Sequence, residues 1–277
     1  MVECIDKILH EAGKYLLDML RLKTRSDPKY AVLTGIMHSG RRAYEPHQTA
    51  VDMLTQLSPE DLANKELVEK ALKLMVPVLV SESVYGLPED RLKLMGREEE
   101  FAEFISEIFR DCYNPICGPN PQECLCKEYD SEGNCISPKL DKLISCIRSK
   151  RVVGKKQIYT VGPKGEDMIR LYAGDRKNVP IDTHAMRYIC ENAMDEPMKS
   201  WCEKRYFKRV GGPRNRREYE RLKHEFWKLA ESCSKPIDEY QVTVWLKNMC
   251  EYRKEHGFPT DVRLMAGFHV DCEELLE

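Results

Sequence analysis

The sequence predicts an all-α protein. Apolar residues recur at three- and four-residue steps through most of the chain, strand signals are nearly absent, and prolines punctuate the periodic stretches. The first helix is carried by Ile5, Ile8, Leu9, Ala12, Leu16, Met19 and Leu20, one buried face at helical spacing. Breaks or first-turn prolines follow at Asp27-Pro28, Glu45-Pro46, Ser58-Pro59, Leu87-Pro88, Asn114-Pro115 and Lys235-Pro236. The acidic run Arg97-Glu98-Glu99-Glu100 opens another helix, whose stripe is Phe101, Phe104, Ile105 and Ile108. Segment 113–138, rich in Pro, Gly, Asn and Cys, interrupts the pattern and reads as an insertion outside the core. Helical periodicity then returns at 138–149, 183–194, 214–232 and 237–255.

The chain has 277 residues, enough for a full core in one domain or two modest ones. No apolar stretch reaches the roughly 20 residues of a membrane helix, and Met1-Val2-Glu3-Cys4-Ile5-Asp6 is unlike a secretory leader. The expectation is a soluble, intracellular protein with no membrane partner. The net charge is only −2, yet the segment from Arg148 to Lys223 holds 20 Lys and Arg against 10 Asp and Glu. Such a local excess suits either a phosphate-facing surface or a set of solvated helix faces. Twelve cysteines are many for a reduced cytosol, and their spread from Cys4 to Cys272 does not resemble a small disulfide scaffold.

The chemistry concentrates after residue 154. The run Ile158-Tyr159-Thr160-Val161-Gly162-Pro163-Lys164-Gly165 reads as a tight turn leading into a helix that starts near Lys164. That geometry gathers backbone N–H groups and positive dipole at one spot, which suits a phosphate. Eighteen residues after Lys164, Pro180-Ile181-Asp182-Thr183-His184 brings a carboxylate to the start of another helix, where it also serves as an N-cap.

This pair of motifs resembles the helix-hairpin-helix DNA glycosylases. Endonuclease III and the 8-oxoguanine glycosylases carry Leu-Pro-Gly-Val-Gly-x-Lys and then, after a short helix and loop, Val-Asp-Thr-His or Val-Asp-Val-His. Two positions depart from that pattern: Tyr159-Thr160 replaces Pro-Gly, and Pro163 removes one backbone N–H. The resemblance is good over 155–190, loose over 28–112 and faint over 191–250. It implies a two-lobed fold, with a central helical barrel over 28–163, a second lobe from 1–27 and 164–277, and the helix-hairpin-helix at 155–174 in the cleft.

The same resemblance implies a bifunctional N-glycosylase and abasic-site lyase acting as a monomer on double-stranded DNA that contains a damaged base. Lys164 would be the nucleophile, forming a Schiff base that leads to β-elimination, and Asp182 the carboxylate that stabilises charge on the sugar. Gly162 and Gly165 of the turn, and His184, would contact the DNA backbone. Arg41 and Arg42, in a loop aligned with the one that fills the gap left by a flipped base, would be wedge or phosphate contacts. A base pocket would draw on Tyr240 and Trp245, of which Trp245 reads better as core. Taken singly, Lys164 is also a common helix-start lysine and His184 a common surface histidine.

No cofactor is required for that chemistry. Cys190, Cys202, Cys233, Cys250 and Cys272 lie too far apart for the C-terminal iron–sulfur cluster of endonuclease III, which turns the resemblance toward the 8-oxoguanine branches. Cys117, Cys124, Cys126 and Cys135 of the insertion leave three alternatives: a structural zinc, disulfides or free thiols. The preferred substrate is 8-oxoguanine. Oxidised pyrimidines or mismatched bases, and a non-catalytic DNA-binding module, are the competing functions.

Overall fold

The computed structural model describes residues 4–39, 47–81, 97–155, 158–192, 195–206, 213–264 and 267–277. Seven helices form its first part: α1 (Lys7–Ser26), α2 (Lys29–Ser39), α3 (His47–Leu54), α4 (Pro59–Leu62), α5 (Lys65–Ser81), α6 (Glu98–Ile108) and α7 (Asn114–Ile116). The second part holds α8 (Pro138–Ser149), α9 (Pro163–Tyr172), α10 (Thr183–Asn192), α11 (Glu196–Trp201), α12 (Arg216–Ser232), α13 (Ile237–Glu255) and α14 (Cys272–Leu275). The protein is mostly helical, as its periodicity predicts, but the described residues also include three separate antiparallel hairpins. These are β1 (Glu128–Tyr129) with β2 (Cys135–Ile136), β3 (Val152–Val153) with β4 (Ile158–Tyr159), and β5 (Asp261–Arg263) with β6 (His269–Asp271).

Polar side chains start several of the helices. Asp6 accepts from the Leu9 amide at the head of α1, Ser137 from Leu140 at α8, and Asn215 from Glu218 at α12. Packing then rests on two close approaches. On α1, a Cβ added at Gly13 would lie 2.4 Å from Thr243 Oγ1 and 2.8 Å from Thr243 Cα on α13. The N-terminal helix is fastened to the C-terminal part of the chain in two further ways, by the Arg21–Asp238 ion pair at 2.9 Å and the Cys4–Cys233 disulfide. On α2, a Cβ at Gly35 would lie 2.3 Å from Ile169 Cγ1 and 2.8 Å from the carbonyl oxygen of Gly165, so α2 and α9 meet backbone to backbone.

One continuous core runs from Ile5 to Cys272. It takes in Cys112, Tyr113, Cys117, Cys124 and Leu125, which corrects the expectation that the cysteine-rich segment stands outside the core. The reason is that all twelve cysteines are paired: Cys4–Cys233, Cys112–Cys146, Cys117–Cys124, Cys126–Cys135, Cys190–Cys202 and Cys250–Cys272. A half-cystine packs as an apolar group and carries no thiol to solvate. The segment also finishes α9, since the Cys126 amide donates to Ala173 O at 2.9 Å and the Tyr129 hydroxyl to Gly174 O at 2.7 Å. Carbonyls at a helix C-terminus lack intrahelical partners, and these donors supply them. Among the described residues no helix is long and apolar enough to cross a membrane.

Gly35→Ala is expected to destabilise the protein by about 1–3 kcal/mol, the usual cost of forcing extra volume into a packed contact. The added methyl group meets a backbone carbonyl, which cannot swing aside. Thermal or denaturant unfolding of the variant checks this, and an unchanged midpoint contradicts the close contact of α2 and α9.

Candidate active site

The hairpin of β3 and β4 delivers the chain to α9. Its inner side chains Val152 and Tyr159 are buried, and the Tyr159 ring lies 5.9 Å from Phe101 and 6.1 Å from Phe104 of α6. Glu100 secures the same hairpin, accepting from the Lys155 amide at 2.7 Å and the Tyr159 hydroxyl at 3.2 Å. Beyond β4 the chain stays extended. Gly162, the N-cap of α9, has φ −87° and ψ 178°, a conformation open to any residue, so the tight glycine turn expected at Val161–Pro163 is replaced by an extended entry. The physical cause is local: β-branched and aromatic residues pair as strands where the glycosylases have Pro-Gly.

Pro163 occupies the first position of α9, where a missing N–H costs nothing, and Lys164 the next. The Lys164 side chain is partly exposed, and among the described residues its amine makes no hydrogen bond or ion pair. Gly162 faces open space, with nothing within 4 Å of an added Cβ. Gly165 differs from the expected phosphate contact, because it is buried and its carbonyl lies against Gly35.

Asp182 caps α10. Its Oδ1 accepts from the Ala185 amide at 2.8 Å, while among the described residues Oδ2 has no hydrogen-bond donor. The charges of Lys164 and Asp182 both act on His184. Burial holds the imidazole below its ordinary pKa, the Asp182 carboxylate opposes that shift, and the charges of Lys164 and Arg187 reinforce it. Asp182 also bears on the buried Tyr172 hydroxyl, whose pKa is pushed up chiefly by burial. Lys164 and Asp182, eighteen residues apart in the chain, are thus both near enough for their charges to be felt at the His184 ring.

Two acids that the motif comparison does not single out, Glu166 and Asp167, stand two and three residues after Lys164. Glu166 is buried between two arginines: Arg148 donates from Nε at 2.9 Å and Nη2 at 2.6 Å, and Arg216 from Nη2 at 2.8 Å. Burial would raise its pKa, but the paired guanidinium groups outweigh that and hold it below the usual range. Asp167 is also buried, and burial pushes it up to about 6 against the opposing pull of Lys223 and the Tyr219 hydroxyl. Tyr219 and Lys223 lie four residues apart on α12, and that spacing of polar tips was the available signal.

The remaining expected residues are placed as follows. Tyr240, 1% exposed, belongs to an aromatic cluster with Tyr188 and Phe226, its hydroxyl bonded to that of Tyr188 and 3.4 Å from Cys233 Sγ. It shows no free face to a base. Trp245 is partly buried against the core. Arg41 and Arg42 lie outside the described residues. Cys117 pairs with Cys124 and Cys126 with Cys135, the disulfide alternative of the three that their spacing leaves. Compared with family models, curated proteins and solved structures, the chain matches none.

The influence of both charges on His184 has a direct readout in its titration followed by NMR. The midpoint is expected below 6.5, rising in Lys164→Gln, which removes a repelling charge, and falling further in Asp182→Asn, which removes an attracting one. A midpoint indifferent to both substitutions contradicts the arrangement.

Proposed function

We propose that this chain is a DNA N-glycosylase with abasic-site lyase activity, built on the two-lobed helix-hairpin-helix glycosylase plan with lobes at 28–163 and at 1–27 with 164–277. The reading is supported by an uncommitted Lys164 amine in the first turn of α9 and by Asp182 at the head of α10 with one oxygen unbonded among the described residues, the charges of both acting on His184. An uncommitted amine together with a carboxylate that has one free oxygen is the pair that displacement of a base requires. The amine nitrogen bonds to the sugar C1′ as the bond from C1′ to the base breaks, and the base leaves with that electron pair and is protonated. Opening of the sugar ring gives a Schiff base, loss of a C2′ proton then expels the 3′ phosphate, and hydrolysis frees the amine. Asp182 offsets the positive charge on the sugar during the first step.

A plain DNA-binding module has no use for this pair. Its support would be the charge pattern alone: Arg148 and Arg216, whose side chains are about half exposed where they grip Glu166, lie in the segment that holds the excess of Lys and Arg. The glycosylase reading uses the same surface for the duplex. 8-Oxoguanine is the preferred base, oxidised pyrimidines and mismatched bases the alternatives, and the protein works as a monomer inside the cell without a cofactor. Disulfide pairing throughout is compatible with an intracellular site in a hyperthermophile.

Incubation with a panel of lesion duplexes, with and without borohydride, tests the function. Wild-type protein is expected to nick the damaged strand and to form a covalent adduct on reduction. Lys164→Gln should lose both while keeping duplex binding. Asp182→Asn should bind normally but react slower by about 10²-fold or more, as for removal of a group that stabilises transition-state charge. Trapping by Lys164→Gln at the wild-type rate overturns the assignment of the nucleophile, and binding without any excision by the wild type favours the DNA-binding module.

A further inference from the structure

One face of α12 carries Arg216, Tyr219, Lys223 and Trp227, spaced three, four and four residues apart. Each of the four reaches across to α9 or to the loop that ends in Asp182. Arg216 meets Glu166 of α9. The Tyr219 hydroxyl donates to Asp167 Oδ2 at 3.0 Å and accepts from the Ile181 amide at 3.0 Å. Lys223 Nζ lies 3.0 and 2.9 Å from the two oxygens of Asp167 and 2.8 Å from Asn178 Oδ1. Trp227 Nε1 donates to Lys177 O at 3.3 Å.

The loop itself is wound around Asp175, which is 1% exposed and accepts from the amides of Lys177 and Asn178 and from the Asn178 side chain. From it the chain runs through buried Val179 and Pro180 to Ile181 and Asp182. The Ile181 amide is buried and must have an acceptor, and the Tyr219 hydroxyl is the one it finds. The proton of that hydroxyl is in turn committed to Asp167, three residues along α9 from Lys164. A single oxygen thus links the residue beside Asp182 to the helix that bears Lys164. Lys223 makes the second link, between the same carboxylate and Asn178 in the middle of the loop.

Resting on the glycosylase reading, we infer that Tyr219 and Lys223 are positioning residues for Asp182, which fix the loop at 175–182, and with it the carboxylate at the head of α10, against the first turns of α9. Stability alone is a poor reason for such a network, because a buried ion pair can often be replaced by apolar side chains at no loss. Register is a better one. Misplacing a catalytic group by about 1 Å can cost about a hundredfold in rate. The network also commits the Lys223 amine, which is held between Asp167 and Asn178, whereas the Lys164 amine makes no hydrogen bond or ion pair among the described residues.

The test is Tyr219→Phe, which removes one oxygen and keeps the ring, with Asn178→Ala as a second cut in the loop, both variants being compared with wild type per folded molecule, the folded fraction taken from thermal unfolding. Single-turnover excision per folded molecule is expected to fall about ten- to a hundredfold in Tyr219→Phe and less in Asn178→Ala, with affinity for a duplex bearing an uncleavable abasic analogue unchanged. Combined with Asp182→Asn, Tyr219→Phe should cost nothing more, because it acts through a carboxylate that is already gone. The His184 titration gives a readout that needs no activity: as Asp182 is unseated, its midpoint in Tyr219→Phe should move down, in the direction of Asp182→Asn. A loss of rate that multiplies with Asp182→Asn, or a His184 midpoint unmoved in both variants, overturns the positioning role. Wild-type protein that excises nothing while Tyr219→Phe still moves His184 supports the placement and counts against the glycosylase reading instead.

Discussion

Glu166 and Asp167 are adjacent, buried and acidic, and their need for partners organises the region around them. An unpaired carboxylate in the interior is far more costly than a paired one, so each must draw a cation or a hydrogen-bond donor to itself. Adjacent positions on a helix point in different directions. Glu166 gathers Arg148 from α8 and Arg216 from α12, while Asp167 gathers Tyr219 and Lys223 from α12. The first turns of α9 are thereby fixed to the chain before and after them, and Lys164 is carried on the part so fixed. On the other flank, the glycine contact with α2 leaves α9 no room to slide.

The disulfides act at a larger scale. Cys4–Cys233 closes a loop of 229 residues and ties α1 to the end of α12, and Cys112–Cys146 joins the region after α6 to α8. Cross-links of this kind stabilise mainly by restricting the unfolded chain. Cys117–Cys124 and Cys126–Cys135 shape the segment that finishes α9, so what the composition marks as an irregular insertion has a mechanical role next to the candidate active site.

The helices were readable because their signals are local. Ser137 and Asp182 each stand one residue before a periodic stretch, and helices begin at Pro138 and Thr183; the stretch read from 214 begins as a helix at Arg216, capped by Asn215. Lys164 and Asp182 were readable as a pair by their spacing, which places one in the first turn of α9 and the other at the head of α10. What escaped depends on distant partners or on very short elements. Each strand of the β3–β4 hairpin has two residues, too few for alternation to show. Gly165 carries the same letter whether it faces a phosphate or Gly35. Tyr240 stands on a helix that is buried on most sides, so periodicity could not tell a pocket face from the core. Tyr219 and Lys223 find Asp167 from 52 and 56 residues away, and cysteine connectivity cannot be deduced from spacing.

The central claim is that one particular amine, Lys164, is presented to DNA together with Asp182. Peptide mass mapping of the borohydride-reduced adduct addresses it most directly, since the modified residue is identified without any substitution. The account predicts the deoxyribose remnant on the peptide that contains Lys164 and on no other. A remnant on Lys223, Lys155 or any other lysine, with the Lys164 peptide unmodified, would contradict it.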